Sequence, residues 1–341
     1  MYKVGIIGLG QIAYSIDKDP NRKIIWSHMK AYQNTKNVKI TAICGNSDLD
    51  LVRRIQKDEN IEKGYIDYNK MLEENDFDIV SICTPIELHY DIAKKCIESG
   101  VKAVFCEKSL AYTIEEAKEI LELSKKHNTV FAVNYILRWD NINKEIKRLI
   151  IEENAIGKIY TIVGYGATAL HTSASHIIDL MLYFTDSKPQ YVIGEKQLDF
   201  VRDVHGVNDY GACGMIKFES GAIAFIKGVS TSPFKYMLEI DIMGENGRIR
   251  LFNNGNNFEL YQYKKLSNNE AGSNYEALTL IKEYKEENKN ERMLDAVDDI
   301  IKCLENGGEP ISNAATALES VKIIENLKLS SDTKSKIDIN D

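Results

Sequence analysis

Over the first ~135 residues the apolar positions fall into short unbroken runs, separated by stretches in which they recur every three or four residues. The runs Val4–Ile7, Lys39–Cys44, Ile79–Cys83, Ala103–Cys106 and Val130–Val133 suit strands buried on both faces. Between them, Leu49–Lys57, Leu88–Ser99 and Ile114–Lys126 carry apolar residues at helical spacing. In the last of these, Ala117, Ile120, Leu121 and Ser124 share one face. Gly100 follows the second helix where a left-handed stop belongs. Strand and helix alternating in this way predict a parallel sheet covered by helices.

From Asn141 the pattern changes. A helix over Asn141–Glu153 leads to a strand, Ile159–Gly166, and to a second helix near Ser175–Phe184. Then come strand candidates at Tyr191–Gly194, Tyr210–Phe218, Ala222–Val229, Leu238–Gly244, Arg248–Phe252 and Phe258–Tyr263. Turn signals such as Glu219-Ser220-Gly221-Ala222 and Gly244-Glu245-Asn246-Gly247 lie between them, which predicts an antiparallel sheet. Helices over Arg292–Asn306 and Ala314–Leu329 close the chain, and Ser330–Asp341 reads as a frayed polar tail. The expected fold class is α/β plus α+β. A Rossmann dinucleotide-binding domain spans 1–137, an open antiparallel-sheet α+β domain 138–330, and a polar tail 331–341.

Composition narrows the partners. A chain of 341 residues, 44% hydrophobic and 28% charged, buries sizeable cores and divides naturally in two. A net charge of −8 presents no basic face to nucleic acid or to an anionic membrane. No apolar stretch approaches the ~20 residues of a membrane span, and the expected location is the cytoplasm. The six cysteines form no C-x-x-C pair, which favours reduced thiols over disulfides or zinc ligands, and no metal site is expected.

The most specific chemistry stands at the start. Gly8-Leu9-Gly10-Gln11-Ile12-Ala13 follows an apolar run in the G-x-G-x-x-G/A pattern. Gly8 permits the tight turn, Gly10 lets a pyrophosphate reach the backbone, and Ala13 lets the next helix pack close to the sheet. The phosphates would sit at that helix's N-terminus, facing its unpaired N–H groups, Gln11 and Ile12 included. The second strand ends 32 residues beyond Ala13 instead of the usual ~20, so residues 14–26 read as an insertion. Tyr14, Asp17 and Trp26 within it suggest a lid, an oligomer contact or a plain surface loop.

Further motifs follow in order: Cys83-Thr84-Pro85-Ile86-Glu87-Leu88-His89, Phe105-Cys106-Glu107-Lys108, Asn134-Tyr135-Ile136-Leu137-Arg138 and Ser175-His176-Ile177-Ile178-Asp179. Met243-Gly244-Glu245-Asn246-Gly247 and Gly308-Glu309-Pro310 lie downstream. Over nearly its whole length the chain resembles the Gfo/Idh/MocA oxidoreductases, which include glucose-fructose oxidoreductase and inositol dehydrogenase. The resemblance implies hydride transfer between a nicotinamide and a sugar, inositol or nucleotide-sugar carbinol held in a cleft between two domains. Lys108 is the implied cation and proton relay, and His176 the implied acid/base, with Asp179 one turn on to orient it. Glu107 and Lys108 also count among the cofactor contacts, with Thr84, Pro85 and His89. Arg138, at the domain junction, would touch substrate or nicotinamide, or form an interdomain salt bridge.

Two positions depart from the family pattern. Thr172 stands where an Asp is common, four residues before His176, and His171 beside it would substitute in part. Ser109 stands where Pro is usual, and without proline a trans Lys108–Ser109 bond is expected. The second strand ends in Gly45-Asn46-Ser47 with no carboxylate, which favours NADP over NAD, with Arg53 or Arg54 adding charge and Asp48 arguing the other way. The family's open sheet implies a homodimer or homotetramer. Two alternatives stay open: a non-catalytic NAD(P)-binding regulator, and a reductase of a non-sugar carbonyl or dihydrodiol.

Overall fold

The apolar runs of the first half pair as parallel strands. In the computed structural model β1 (Tyr2–Ile7), β2 (Val38–Cys44), β3 (Lys63–Tyr65), β4 (Ile79–Ile82), β5 (Ala103–Cys106) and β6 (Val130–Val133) form one sheet in the order β3-β2-β1-β4-β5-β6. The structure describes all residues except 46–47, 167–168, 205–206, 229–236, 266–274, 286–289 and 340–341. Helices α1 (His28–Gln33), α2 (Leu49–Glu59), α3 (Tyr68–Glu73), α4 (His89–Glu98) and α5 (Ile114–His127) connect these strands. Strands β4 and β5 are buried at every position, as continuous apolar runs require. Helix α5 opens on a capping box, Thr113 with Glu116, and closes on left-handed Asn128. The local pattern gave no sign of β3 or α3, because three half-exposed residues and a six-residue helix are too short for a period to register.

The second sheet has nine strands. These are β7 (Ile159–Gly166), β8 (Pro189–Val204), β9 (Val207–Phe218), β10 (Ile223–Gly228), β11 (Leu238–Gly244), β12 (Gly247–Phe252), β13 (Asn257–Lys265), β14 (Glu276–Lys285) and β15 (Ile337–Asp338). Their order is β14-β13-β12-β11-β7-β10-β9-β8-β15. The sheet is antiparallel apart from the β7–β10 pair, which runs parallel because a helix and a hairpin intervene between them in sequence. Strand β14 was missed because its outward side chains and charges leave it no apolar alternation.

Register explains the core of this unit. Val192, Ile216, Ala224, Ile162, Ile242, Ile249 and Leu260 are successive cross-strand partners, and all are buried. Helices α6 (Asn141–Ile151) and α7 (Ser175–Thr185) belong to the same unit. Ile177 of α7 occupies the space over Gly164 and Gly166 of β7, where an added Cβ would lie 2.4 and 2.1 Å from its side chain.

Two compact units result: residues 1–139 with 290–321, and residues 140–289 with 322–341. Helix α8 (Arg292–Asn306) thus returns to the first unit, a long-range pairing that no local pattern signals. Helix α9 (Ala314–Thr333) serves both cores, with Ala317, Leu318 and Val321 in the first unit and Ile323, Ile324 and Leu327 in the second. The tail expected to fray is ordered as far as Ile339. Buried Ser330 takes the N–H of Gly194 at 3.0 Å, and β15 pairs with β8.

All six cysteines are free thiols, and burial pushes Cys83 and Cys106 well up. No helix among the described residues is long and apolar enough to cross a membrane, and no three His, Cys, Asp or Glu side chains gather as metal ligands. The close seat of α7 makes Gly164→Ala costly, by about 1–3 kcal/mol as for other overpacked sites. The loss should be partly recovered in combination with Ile177→Ala, which a denaturant-unfolding cycle would measure.

Candidate active site

The order of the first sheet reverses direction between β1 and β4, and in open α/β sheets ligands bind at that point, beyond the carboxyl ends of the strands. Four sequence motifs meet along this edge. Gly8 leaves β1 at φ +89°, and a Cβ there would lie 2.6 Å from the Cys83 carbonyl group and 2.8 Å from the Thr84 nitrogen. Gly8 is therefore confined by protein. Gly10 is not: it is exposed, and a Cβ there would meet nothing within 4 Å.

The helix expected after the glycines is interrupted. Residues 10–13 form its first turn, and the chain then leaves for the insertion, which opens with a 3-10 turn at Ser15–Lys18. It returns in register, for the His28 N–H donates to the Ile12 carbonyl and the Met29 N–H to the Ala13 carbonyl, both at 3.0 Å. These are the bonds that the next helical turn would make, so about 12 residues are spliced into a continuous helical path. Asp17 ties off the splice, its carboxylate accepting from the Trp26 and Ser27 N–H groups and the Ser27 hydroxyl. Arg22 and Arg292 both lie against the Trp26 ring, 5.1 and 5.0 Å from its centroid. Their cation–π contacts make the insertion a packed loop.

No hydrogen bond among the described residues uses the N–H of Gly10, Gln11 or Ile12, and the buried hydroxyl of Thr84 also has no partner. Open space over Gly10, backbone donors without protein partners and an unsatisfied buried hydroxyl on the loop after β4 fit a dinucleotide pyrophosphate.

At the end of β5, Glu107 is buried. Its Oε1 accepts from His28 Nε2 at 3.0 Å and from Asn134 Nδ2 at 2.6 Å. Burial alone would raise its pKa, but these donors and the Lys108 charge hold it below the ordinary carboxylate range. Because an ionised carboxylate only accepts, His28 Nε2 carries a proton and donates it to Glu107, while Nδ1 lies 2.9 Å from the Ser81 hydroxyl. The Ser81 hydroxyl also lies 2.8 Å from that of Tyr32, which burial keeps protonated. His89 begins α4. It faces two carbonyls, Ser109 at 2.8 Å from Nδ1 and Thr84 at 2.9 Å from Nε2. Burial lowers its pKa against the pull of those carbonyls.

The Lys108–Ser109 peptide is cis, where trans was expected from the intrinsic preference of a non-prolyl bond. That preference considers two residues only, whereas Ser109 is 1% exposed with its carbonyl engaged by His89. Arg138 is also buried and donates to the Ile311 carbonyl at 3.2 Å, which ties it within the first unit. Asn46 and Ser47 lie outside the described residues. Gly45 abuts Val52, and Asp48 accepts the Leu51 N–H at 2.8 Å as the cap of α2, so its carboxylate is engaged locally.

In the second unit, a π-helical turn at Leu170–Ala174 runs directly into α7, so His171, Thr172, His176 and Asp179 lie on one winding stretch. Asp209, which sequence reasoning missed, holds that turn, its two oxygens accepting the N–H groups of His171 and Thr172 at 3.0 Å each. No motif marks it, since it lies at a strand start. His171 Nε2 lies 3.2 Å from Glu325 Oε1, and Asp179 is fully buried. His176 is half-buried in the first turn of α7.

The first unit is thus a dinucleotide-binding domain. The chain belongs to the Gfo/Idh/MocA oxidoreductase family: residues 2–135 match its NAD-binding Rossmann fold and residues 165–339 its C-terminal alpha/beta domain. An uncharacterized protein of Haemophilus influenzae is 47% identical over 88 residues, covering 26% of this chain and 84% of that one. The myo-inositol 2-dehydrogenase of Thermotoga maritima is 23% identical over 72% of this chain and 74% of its own. Levoglucosan dehydrogenase in complex with NADH and levoglucosan shares the fold, with a TM-score of 0.79 at 19% identity and 100% of both chains covered.

The two glycines give separable predictions. Gly8→Ala forces a methyl into the Cys83–Thr84 backbone just past β4 at a left-handed φ and should cost about 2–4 kcal/mol in unfolding experiments. Gly10→Ala should leave the thermal midpoint within about 2 °C, a small perturbation on the usual scale, while weakening binding of a reduced nicotinamide dinucleotide measured by its fluorescence.

Proposed function

We propose that this chain is a cytoplasmic NAD(P)-dependent dehydrogenase or reductase acting on a CH–OH group of a sugar, inositol or nucleotide-sugar, with NADP preferred. The observation that carries the reading is the placement of Lys108. It follows a buried, ionised carboxylate at the end of β5, on the same sheet edge as the open glycine turn. The inositol and levoglucosan dehydrogenases similar to this chain support the substrate class. In this reading Gly10, Gln11 and Ile12 hold the pyrophosphate through backbone N–H groups, with Thr84 and Pro85 alongside. A bound nicotinamide supplies the hydride acceptor or donor. The Lys108 ammonium stabilises charge developing on the substrate oxygen, and His176 accepts or returns its proton. Thr172 offers a hydroxyl to the substrate, and Asp179 orients His176. NADP is favoured because Asp48, the carboxylate nearest the end of β2, is spent on capping α2 and no acid closes the strand.

The outer face of the second sheet supports self-association. Ile193, Met215, Phe225 and Val163 are successive cross-strand partners on the face opposite the core, and Ile193 and Phe225 are 46% and 37% exposed. An apolar row of this kind on an open sheet suits a second copy of the chain. A regulatory, non-catalytic reading draws on Thr172, which has no carboxylate to give.

Titration with NADPH and NADH should show NADPH binding more tightly, and failure of both to bind would sink the enzyme reading. Lys108→Ala should lower turnover of the best inositol or sugar substrate by about 10²–10⁴ with cofactor affinity nearly unchanged. Full turnover in that variant would remove Lys108 from the mechanism. Ile193→Glu with Phe225→Glu should convert a dimer or tetramer to monomer in light scattering.

A further inference from the structure

Lys108 has a buried histidine bonded to the residue on each side of it. His28, fully buried at the point where the spliced helix resumes, donates to Glu107 at 3.0 Å. His89, 1% exposed at the start of α4, reaches the Ser109 carbonyl at 2.8 Å. The second nitrogen of each ring also faces a polar atom: His28 Nδ1 lies 2.9 Å from the Ser81 hydroxyl, and His89 Nε2 lies 2.9 Å from the Thr84 carbonyl, so a neutral His89 donates to one of its two carbonyls. The two rings come from the two segments that flank the switch point. One follows the glycine turn, and the other follows Thr84-Pro85.

We propose that His28 and His89 are positioning residues that bracket Lys108, His28 through the Glu107 carboxylate and His89 through the Ser109 carbonyl. The bracket links the lysine to both loops that would receive the dinucleotide, so its ammonium is set by the same contacts that shape the cofactor edge. Neither ring needs to touch substrate. Its importance for turnover rests on the reading of Lys108 as the working cation, but the bracket itself does not.

The geometry yields a crossed pattern that general loosening would not produce. In place of histidine, Asn reproduces the reach of Nδ1 and Gln that of Nε2. At position 28 the bond to Glu107 comes from Nε2, so His28→Gln should keep Lys108 as it is and His28→Asn should release it. At position 89 the proposal puts the single ring proton on Nδ1, the nitrogen 2.8 Å from the Ser109 carbonyl, so His89→Asn should be silent and His89→Gln should release it. The readout is the rate at which acetic anhydride labels Lys108 in the intact protein, followed by peptide mass spectrometry. Lys102 and Lys94, on the same unit, serve as internal references.

We expect about a fivefold change in the Lys108 rate for His28→Asn and His89→Gln, the factor that losing one hydrogen bond gives, with the references constant. Equal responses to Asn and Gln at either position, or parallel changes at Lys102 and Lys94, would overturn the proposal. The labelling requires no substrate. If Lys108→Ala retained turnover while the crossed pattern held, the catalytic reading would fail and the bracket would stand.

Discussion

A carboxylate taken out of water at the end of a central strand is the constraint around which the first unit is organised. Glu107 is 9% exposed, and an unpaired charge at that depth would cost several kcal/mol. The chain supplies donors from two distant segments, His28 at the head of α1 and Asn134 just past β6. Each donor is fixed in turn, His28 by Ser81 and Tyr32, and Asn134 by contact with Met293 of α8 at 3.6 Å. Strands β4 and β5, helix α1 and the returning helix α8 are thereby tied to one negative charge. Truncating any one partner would leave a buried polar group with one hydrogen bond fewer.

That arrangement explains how the insertion is tolerated. About 12 extra residues in the first turn of a helix would ordinarily destroy it, but the helical hydrogen bonds close across the gap from His28 to Ile12 and from Met29 to Ala13. The loop's own cost is met locally, by the Asp17 carboxylate and by the guanidinium groups stacked on Trp26. His28 consequently arrives where an uninterrupted helix would have placed it. The glycine turn keeps its exposed N–H groups, and the buried network keeps its imidazole.

Much of this was legible in the chain. Gly8 and Gly10 announced their separate duties by spacing, and the excess length before Lys39 located the insertion. The long buried strands were readable because continuous apolar runs and strict alternation are local properties. The roles of Gly164, Asp209 and Asn134 were not. Gly164 matters because Ile177 arrives from a helix that follows it, and Asp209 because a turn 37 residues earlier exposes two N–H groups to it. The cis geometry after Lys108 could not be anticipated from a dipeptide preference either.

The sequence by itself determined the parallel sheet, the glycine turn, the placement of Lys108 at a strand end and of His176 at a helix start, and the family to which they point. These depend on periodicity and spacing, which act over a few residues. Only the tertiary structure decided that α8 returns to the first unit, that Asp48 is occupied as a cap, and that two buried histidines stand on either side of the lysine's neighbours. Those outcomes depend on which donors packing brings to a buried acceptor. Hydrogen-bond partners separated by 20 to 79 residues are chosen by packing and desolvation, with no mark in the local pattern.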